Sequence, residues 1–113
     1  MGITLSEPQA ALARARVSEA GLADRVSIRV MDYRDLVGER FDALASIGMV
    51  EHVGGNRINL YAERLASLVR PGGRLLNHGI ARVRHSSHAP GPFSDRHVFP
   101  DGDTLHLSRV IHA

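Results

Sequence analysis

Three places in this 113-residue chain put reactive side chains where a strand would end. In SIGMVEHVGG, residues 46–55, an apolar run leads into Glu51 and His52, and two glycines follow. His78 stands in a second apolar run, RLLNHGIA, residues 74–81. A carboxylate beside an imidazole can bind a small anion through a protonated histidine or hold a general base in position. Burying such groups is costly unless they are paired. The structural alternative is a hydrogen bond between Glu51 and a backbone amide, with an unrelated core histidine. The third place is Asp32-Tyr33, directly after VSIRV. A strand-end acid can accept hydrogen bonds from ribose hydroxyls or an adenine amino group while the tyrosine covers the ring, or it can cap a turn.

Elements that would position these residues are readable along the chain. Residues 3–5 make a short β-type segment, and Ser6-Glu7-Pro8-Gln9 then combines an N-cap serine, a first-turn proline and a capping-box glutamine. The helix should start at Glu7, offer Leu12, Ala15 and Val17 to an apolar face, and stop around Gly21. Residues 26–30 (VSIRV) alternate like a half-buried or edge strand. Residues 41–49 (FDALASIGM) have the length and apolarity of a central parallel strand. Ile58, Tyr61, Leu65 and Leu68 recur at helical spacing, Pro71-Gly72-Gly73 should end that helix, and 74–81 should form the next strand.

Periodicity is lost over 82–103, which contains Pro90, Pro92 and Pro100 and reads as a long loop of the kind that is functional or mobile. Ser108 could cap a further helix, with too few residues following to build it. The order β-α-β-β-α-β across short connections predicts a mostly parallel α/β sheet, in which ligands gather beyond the carboxyl ends of the strands. Glu51, Asp32 and His78 all fall at or near such ends. On an extended chain, adjacent residues face opposite sides, so His78 rather than His52 is the expected partner of Glu51.

Composition narrows the function classes. Aromatic residues make up 4% with no tryptophan, too few for the stacking platforms of single-strand nucleic-acid binders, so no nucleic-acid partner is expected. All 14 basic residues are arginine, scattered rather than in a block, and the net charge of +2 permits only weak attraction to anionic surfaces. Peripheral contact with the inner face of a membrane is compatible with this. The absence of cysteine excludes a disulfide framework and a thiolate metal site and fits a cytoplasmic setting. His85, His88, Asp95 and His97 lack the helical spacing that makes metal ligands converge, so no metal is expected. No GxSxG or GxGxxG segment occurs.

Several stretches together, GITLSEPQ, RVMDYRDL, FDALASIGMVEHVG, LVRPGGRLLNHGI and FPDGDTLHLSRVI, resemble the cyclopropane-fatty-acyl-phospholipid synthases and mycolic acid cyclopropane synthases. The resemblance implies a Rossmann-like, S-adenosyl-L-methionine-dependent methyltransferase. Thr4 and Gln9 would lie near the methionine or ribose part of the cofactor, and Asp32 and Tyr33 around the adenine. Glu51 and His78, with the backbone at Ile80, would hold a bicarbonate ion. The substrate would be an unsaturated acyl chain of a phospholipid or a carrier-bound fatty acid. Its double bond would receive the methyl, and the cation would close to a cyclopropane once a proton is lost to bicarbonate.

Set against that family, residues 1–113 are expected to be a partial methyltransferase domain, with 82–103 as its substrate-side loop. The fold would be incomplete, the first strand with its glycine-rich loop and the C-terminal strands being absent. Two alternatives stand beside the acyl methyltransferase: a non-catalytic remnant that no longer binds cofactor, and a related methyltransferase acting on a small soluble acceptor.

Overall fold

The computed structural model describes residues 1–83, 97 and 104–113. The chain divides into two compact units, Met1–Glu39 and Arg40–Ala113. Most of the loop expected over 82–103, with His85, His88 and Asp95, lies outside the described residues.

In the first unit, strand β1 (Gly2–Thr4) pairs in parallel with β2 (Ile28–Val30), and helix α1 (Glu7–Glu19) connects them. Ser6 caps α1 as expected, its hydroxyl accepting the Gln9 amide at 3.3 Å. The capping box is not reciprocal, however. The Ser6 amide donates to Thr4 Oγ1 at 3.1 Å, and the Thr4 hydroxyl donates to Gln9 Oε1 at 2.9 Å. At the other end, Gly21 adopts φ 65°, its amide donates to Ser18 O, and the Leu22 amide donates to Val17 O. This is the Schellman arrangement, which satisfies carbonyls that the last helical turn leaves open.

The inward face of α1 differs from the expected one. Ala10 is fully buried, Ala13 and Val17 are half-buried, and Leu12 is 54% exposed. Ala10, Ala13, Arg14 and Val17 follow the i, i+3, i+4, i+7 stripe. Arg14 belongs to it because its guanidinium donates twice to the Ile28 carbonyl, at 3.0 and 3.1 Å. An alanine-rich helix carries apolar residues on every side, so the composition of α1 could not single out this stripe.

In the second unit, β3 (Phe41–Ile47) pairs in parallel with β4 (Val69–His78). Helix α3 (Ile58–Leu68) covers one face, with Ile58, Tyr61, Leu65 and Leu68 all buried as their spacing predicts. Burying each of these large side chains contributes about 1.5–3 kcal/mol. On the opposite face Ile47 is 60% and Leu76 57% exposed. Among the described residues β3 has one strand neighbour, β4. The two parallel pairs form two separate sheets.

The segment Pro71-Gly72-Gly73 does not end α3. The helix stops at Leu68, Val69 is already extended, and β4 begins there. The register then jumps from the Phe41–Val69 pair to the Ala43–Arg74 pair, so the segment is a bulge inside the strand. The reason is local. Proline has no amide for the ladder, Gly72 has φ 77°, and a Cβ at Gly73 would stand 2.8 Å from Asp42 O and 2.9 Å from Arg70 O.

A short helix does form near the end of the chain, α4 (Leu107–His112), capped by His106 rather than Ser108. The His106 ring nitrogen Nδ1 accepts the Ser108 amide at 3.3 Å. Its base is held by the Arg82 amide donating to Leu105 O and the Leu107 amide donating to Arg82 O. Tertiary anchoring of this kind lets a helix too short to stand alone persist.

Candidate functional site

Strand β3 ends at Ile47, opposite His78 in the ladder, and the Gly48 amide donates to His78 O at 2.9 Å. Gly48, at φ 64°, then turns the chain into α2 (Val50–Val53). Glu51 therefore sits in the first turn of a helix and not on a strand tip. His52 is its helical neighbour, and the strand-alternation argument against pairing the two does not apply to it.

The Glu51 side chain is buried, with only 3% of the residue exposed. Its Oε1 accepts the Ile80 amide at 2.6 Å. The bond is short and charge-assisted, a kind that typically contributes about 1.5–3 kcal/mol. Oε2 is also buried, and no described protein group hydrogen-bonds to it. Gly79 closes over the carboxylate: a Cβ there would overlap Val50 Cγ1 and lie 3.2 and 3.3 Å from the two Glu51 oxygens. This is the bond between Glu51 and a backbone amide that the structural alternative expected, with Ile80 as the donor that orients the carboxylate.

His78 is exposed on the strand that leads into Gly79 and Ile80. Its backbone is fixed by Gly48, and among the described residues no hydrogen bond joins its ring to Glu51. The strand that leads into Glu51's helix, β3, and the strand that carries His78, β4, are neighbours, as the short crossover implies. A groove of about 400 Å³ lined by Arg40, Ser67, Arg70 and Pro71 lies at the other end of these strands, away from Glu51.

In the first unit, Thr4 and Asp32 lie at the carboxyl ends of the paired strands. Thr4 is opposite Val30, and the Met31 amide donates to Thr4 O at 3.0 Å. Thr4 and Gln9 are joined by the hydrogen bond described above. Asp32 caps a single 3-10 turn, Tyr33–Asp35. Its Oδ1 accepts the Arg34 amide and Nε at 2.9 Å each, and its Oδ2 accepts Nη2 at 2.6 Å. The side-chain hydrogen bonds from Arg34, then that residue's amide, hold the Asp32 carboxyl below its usual range. Tyr33 is half-buried in the turn.

Two residues of this region escaped the sequence reading. In the sequence Gly79 is only a glycine inside the strand expected over 74–81. Tyr61 has the spacing of a core residue, and Ser46 and Asn77, two polar residues in otherwise apolar strands, are the signal of its buried polar partners.

Parallel strand pairs joined by helices define a protein of the α/β class. Within that class the chain belongs to the mycolic acid cyclopropane synthetase family, whose model matches residues 1–113. It is 46% identical, over 96% of its length, to a probable fatty acid methyltransferase of Pseudomonas putida. It is 42% identical, over 97%, to a probable fatty acid methyltransferase of Mycobacterium tuberculosis. A cyclopropane-fatty-acyl-phospholipid synthase of Escherichia coli is 33% identical over 90% of the chain. The chain spans 29%, 26% and 25% of the length of these relatives, respectively. The family expected from the sequence motifs is thereby established.

Proposed function

We propose that this chain carries part of the site of an S-adenosyl-L-methionine-dependent lipid methyltransferase with a Rossmann-like fold. The acceptor is the double bond of an unsaturated acyl chain, on a phospholipid or a carrier, and the product is a cyclopropane or methyl-branched chain. The observation that carries the reading is the Glu51 carboxylate, buried beyond the end of two paired strands with Oε1 committed to Ile80 and Oε2 without a hydrogen-bond partner among the described residues. A buried acceptor in that state suits a ligand that brings a donor.

Bicarbonate fits, because its single O–H can donate to Oε2 while its remaining oxygens accept from a histidine ring. When bound, S-adenosyl-L-methionine supplies an electrophilic methyl to the alkene, and bicarbonate supplies the base that the resulting cation needs. Glu51 then works as an orienting acceptor and not as the final proton acceptor, and His78 as a donor across the rim. For the cofactor, Thr4, Gln9, Asp32 and Tyr33 are the proposed contacts. Thr4 and Asp32 share one end of a parallel pair, and each keeps acceptor capacity beyond its internal bonds.

No helix among the described residues is long and apolar enough to cross a membrane. Access to acyl chains would come from peripheral contact with the inner face of the membrane by a cytoplasmic protein. The test is expression of the chain, with any coding sequence contiguous with it, in cells whose lipids contain unsaturated acyl chains. Mass spectrometry should find acyl chains heavier by one methylene, and unchanged lipids would overturn the lipid assignment.

A further inference from the structure

Tyr61 is 1% exposed and Ser46 3% exposed, yet both are polar. The Tyr61 hydroxyl donates to Asn77 Oδ1 at 3.0 Å. That direction leaves Ser46 as the donor in the 2.6 Å contact between its Oγ and the tyrosine oxygen. One hydroxyl from α3 therefore bridges side chains of both β3 and β4. Ser46 and Asn77 are direct cross-strand partners, and the next pair is Ile47 and His78. Past that pair come Gly48, Gly79 and Ile80, the residues that shape the Glu51 site.

A bridge at this position solves a problem in the strands. Ala43-Leu44-Ala45 in β3 and Leu75-Leu76 in β4 are apolar on both faces. Strand register is well specified when one face is apolar and the other polar, and weakly when both are alike. A one-residue slip of β4 would carry Asn77 to the opposite face and leave a buried tyrosine hydroxyl short of its acceptor. Such an unmet group is expensive in a dry core.

We propose that Tyr61 is a positioning residue: through its hydroxyl bridge to Ser46 and Asn77 it holds the ends of β3 and β4 in the register that presents the Ile80 amide to Glu51. The inference rests on Glu51 and Ile80 forming the site but not on the identity of what binds there.

The test is amide hydrogen exchange on the 15N-labelled chain. In Tyr61→Phe, the Ile80 and Gly48 amides should lose roughly tenfold in protection, the change a single lost hydrogen bond produces. Amides of α3, such as Leu65, and of α1 should keep theirs. Asn77→Asp retains the acceptor and should preserve Ile80 protection, whereas Asn77→Leu should lose it. Should Tyr61→Phe fail to fold, Ser46→Ala and Asn77→Leu carry the same expectation. Unchanged Ile80 protection overturns the proposal. So does a uniform loss across α3, which would mark Tyr61 as ordinary core, or equal behaviour of the two Asn77 variants. Because the readout needs no ligand, it can fail while the methyl-transfer reading stands, and the converse.

Discussion

The Ile80 amide donates to Oε1 of Glu51 across 2.6 Å, while Oε2 of the same buried carboxylate has no hydrogen-bond partner among the described residues. One oxygen is used to orient the side chain, and the other is buried with no such use among the described residues.

That asymmetry separates structural from functional loss at Glu51. Glu51→Ala strands the Ile80 amide and should lower stability by about 1–3 kcal/mol, read by urea unfolding. Glu51→Gln keeps a carbonyl for Ile80 and should stay within about 1 kcal/mol of the parent. Acyl methylation by the active protein should fall about 100-fold or more in both variants. Full activity in Glu51→Gln would reduce the carboxylate to a structural role.

Gly79 and Gly21 should respond differently to alanine. At Gly79 the new Cβ meets Val50 and both Glu51 oxygens, so Gly79→Ala should cost about 1–3 kcal/mol and shift the Ile80 amide resonance. At Gly21 nothing lies within 4 Å, and the penalty comes only from φ 65°, about 1 kcal/mol. Thermal unfolding of the two variants checks the ranking.

Asp32 should titrate below the ordinary carboxylate range because Arg34 donates to both of its oxygens. The folded-state value is depressed, so the contribution to stability is present above the unfolded value. It is lost as pH falls through the depressed folded one. Arg34→Ala should move the Asp32 carboxyl resonance back toward an ordinary midpoint in a 13C NMR titration. An unmoved midpoint would show that Arg34 is not the cause.

At the start of α1, Ser6→Ala should cost about 1 kcal/mol, since the Gln9 amide loses its cap acceptor. Gln9→Ala should cost less than about 0.5 kcal/mol, because its exposed side chain serves Thr4 and not the Ser6 amide. Chemical unfolding followed by circular dichroism distinguishes these from the equal losses that a reciprocal capping box would give.

Much of this architecture was legible from the residues alone, where the deciding interactions span a few positions. Ser6 and Pro8 announce α1, Gly21 closes it, and the spacing of Ile58, Tyr61, Leu65 and Leu68 defines the buried face of α3. The motifs around Asp32 and Glu51 were enough for the family. Even the competing role of Asp32 as a turn cap was readable, because Arg34 is two residues away.

Tertiary structure alone decided what depends on distant partners. Pro71-Gly72-Gly73 became a strand bulge instead of a helix stop because β3 was there to pair with both sides of it. Arg14, itself exposed, reaches the Ile28 carbonyl 14 residues away. The bond from Ile80 to Glu51 joins residues 29 positions apart, and the Tyr61 bridge spans 15 and 16. Such bonds gain their strength only after the strands have paired and water has left. No local pattern records that energy, and in this protein the candidate site is built from it.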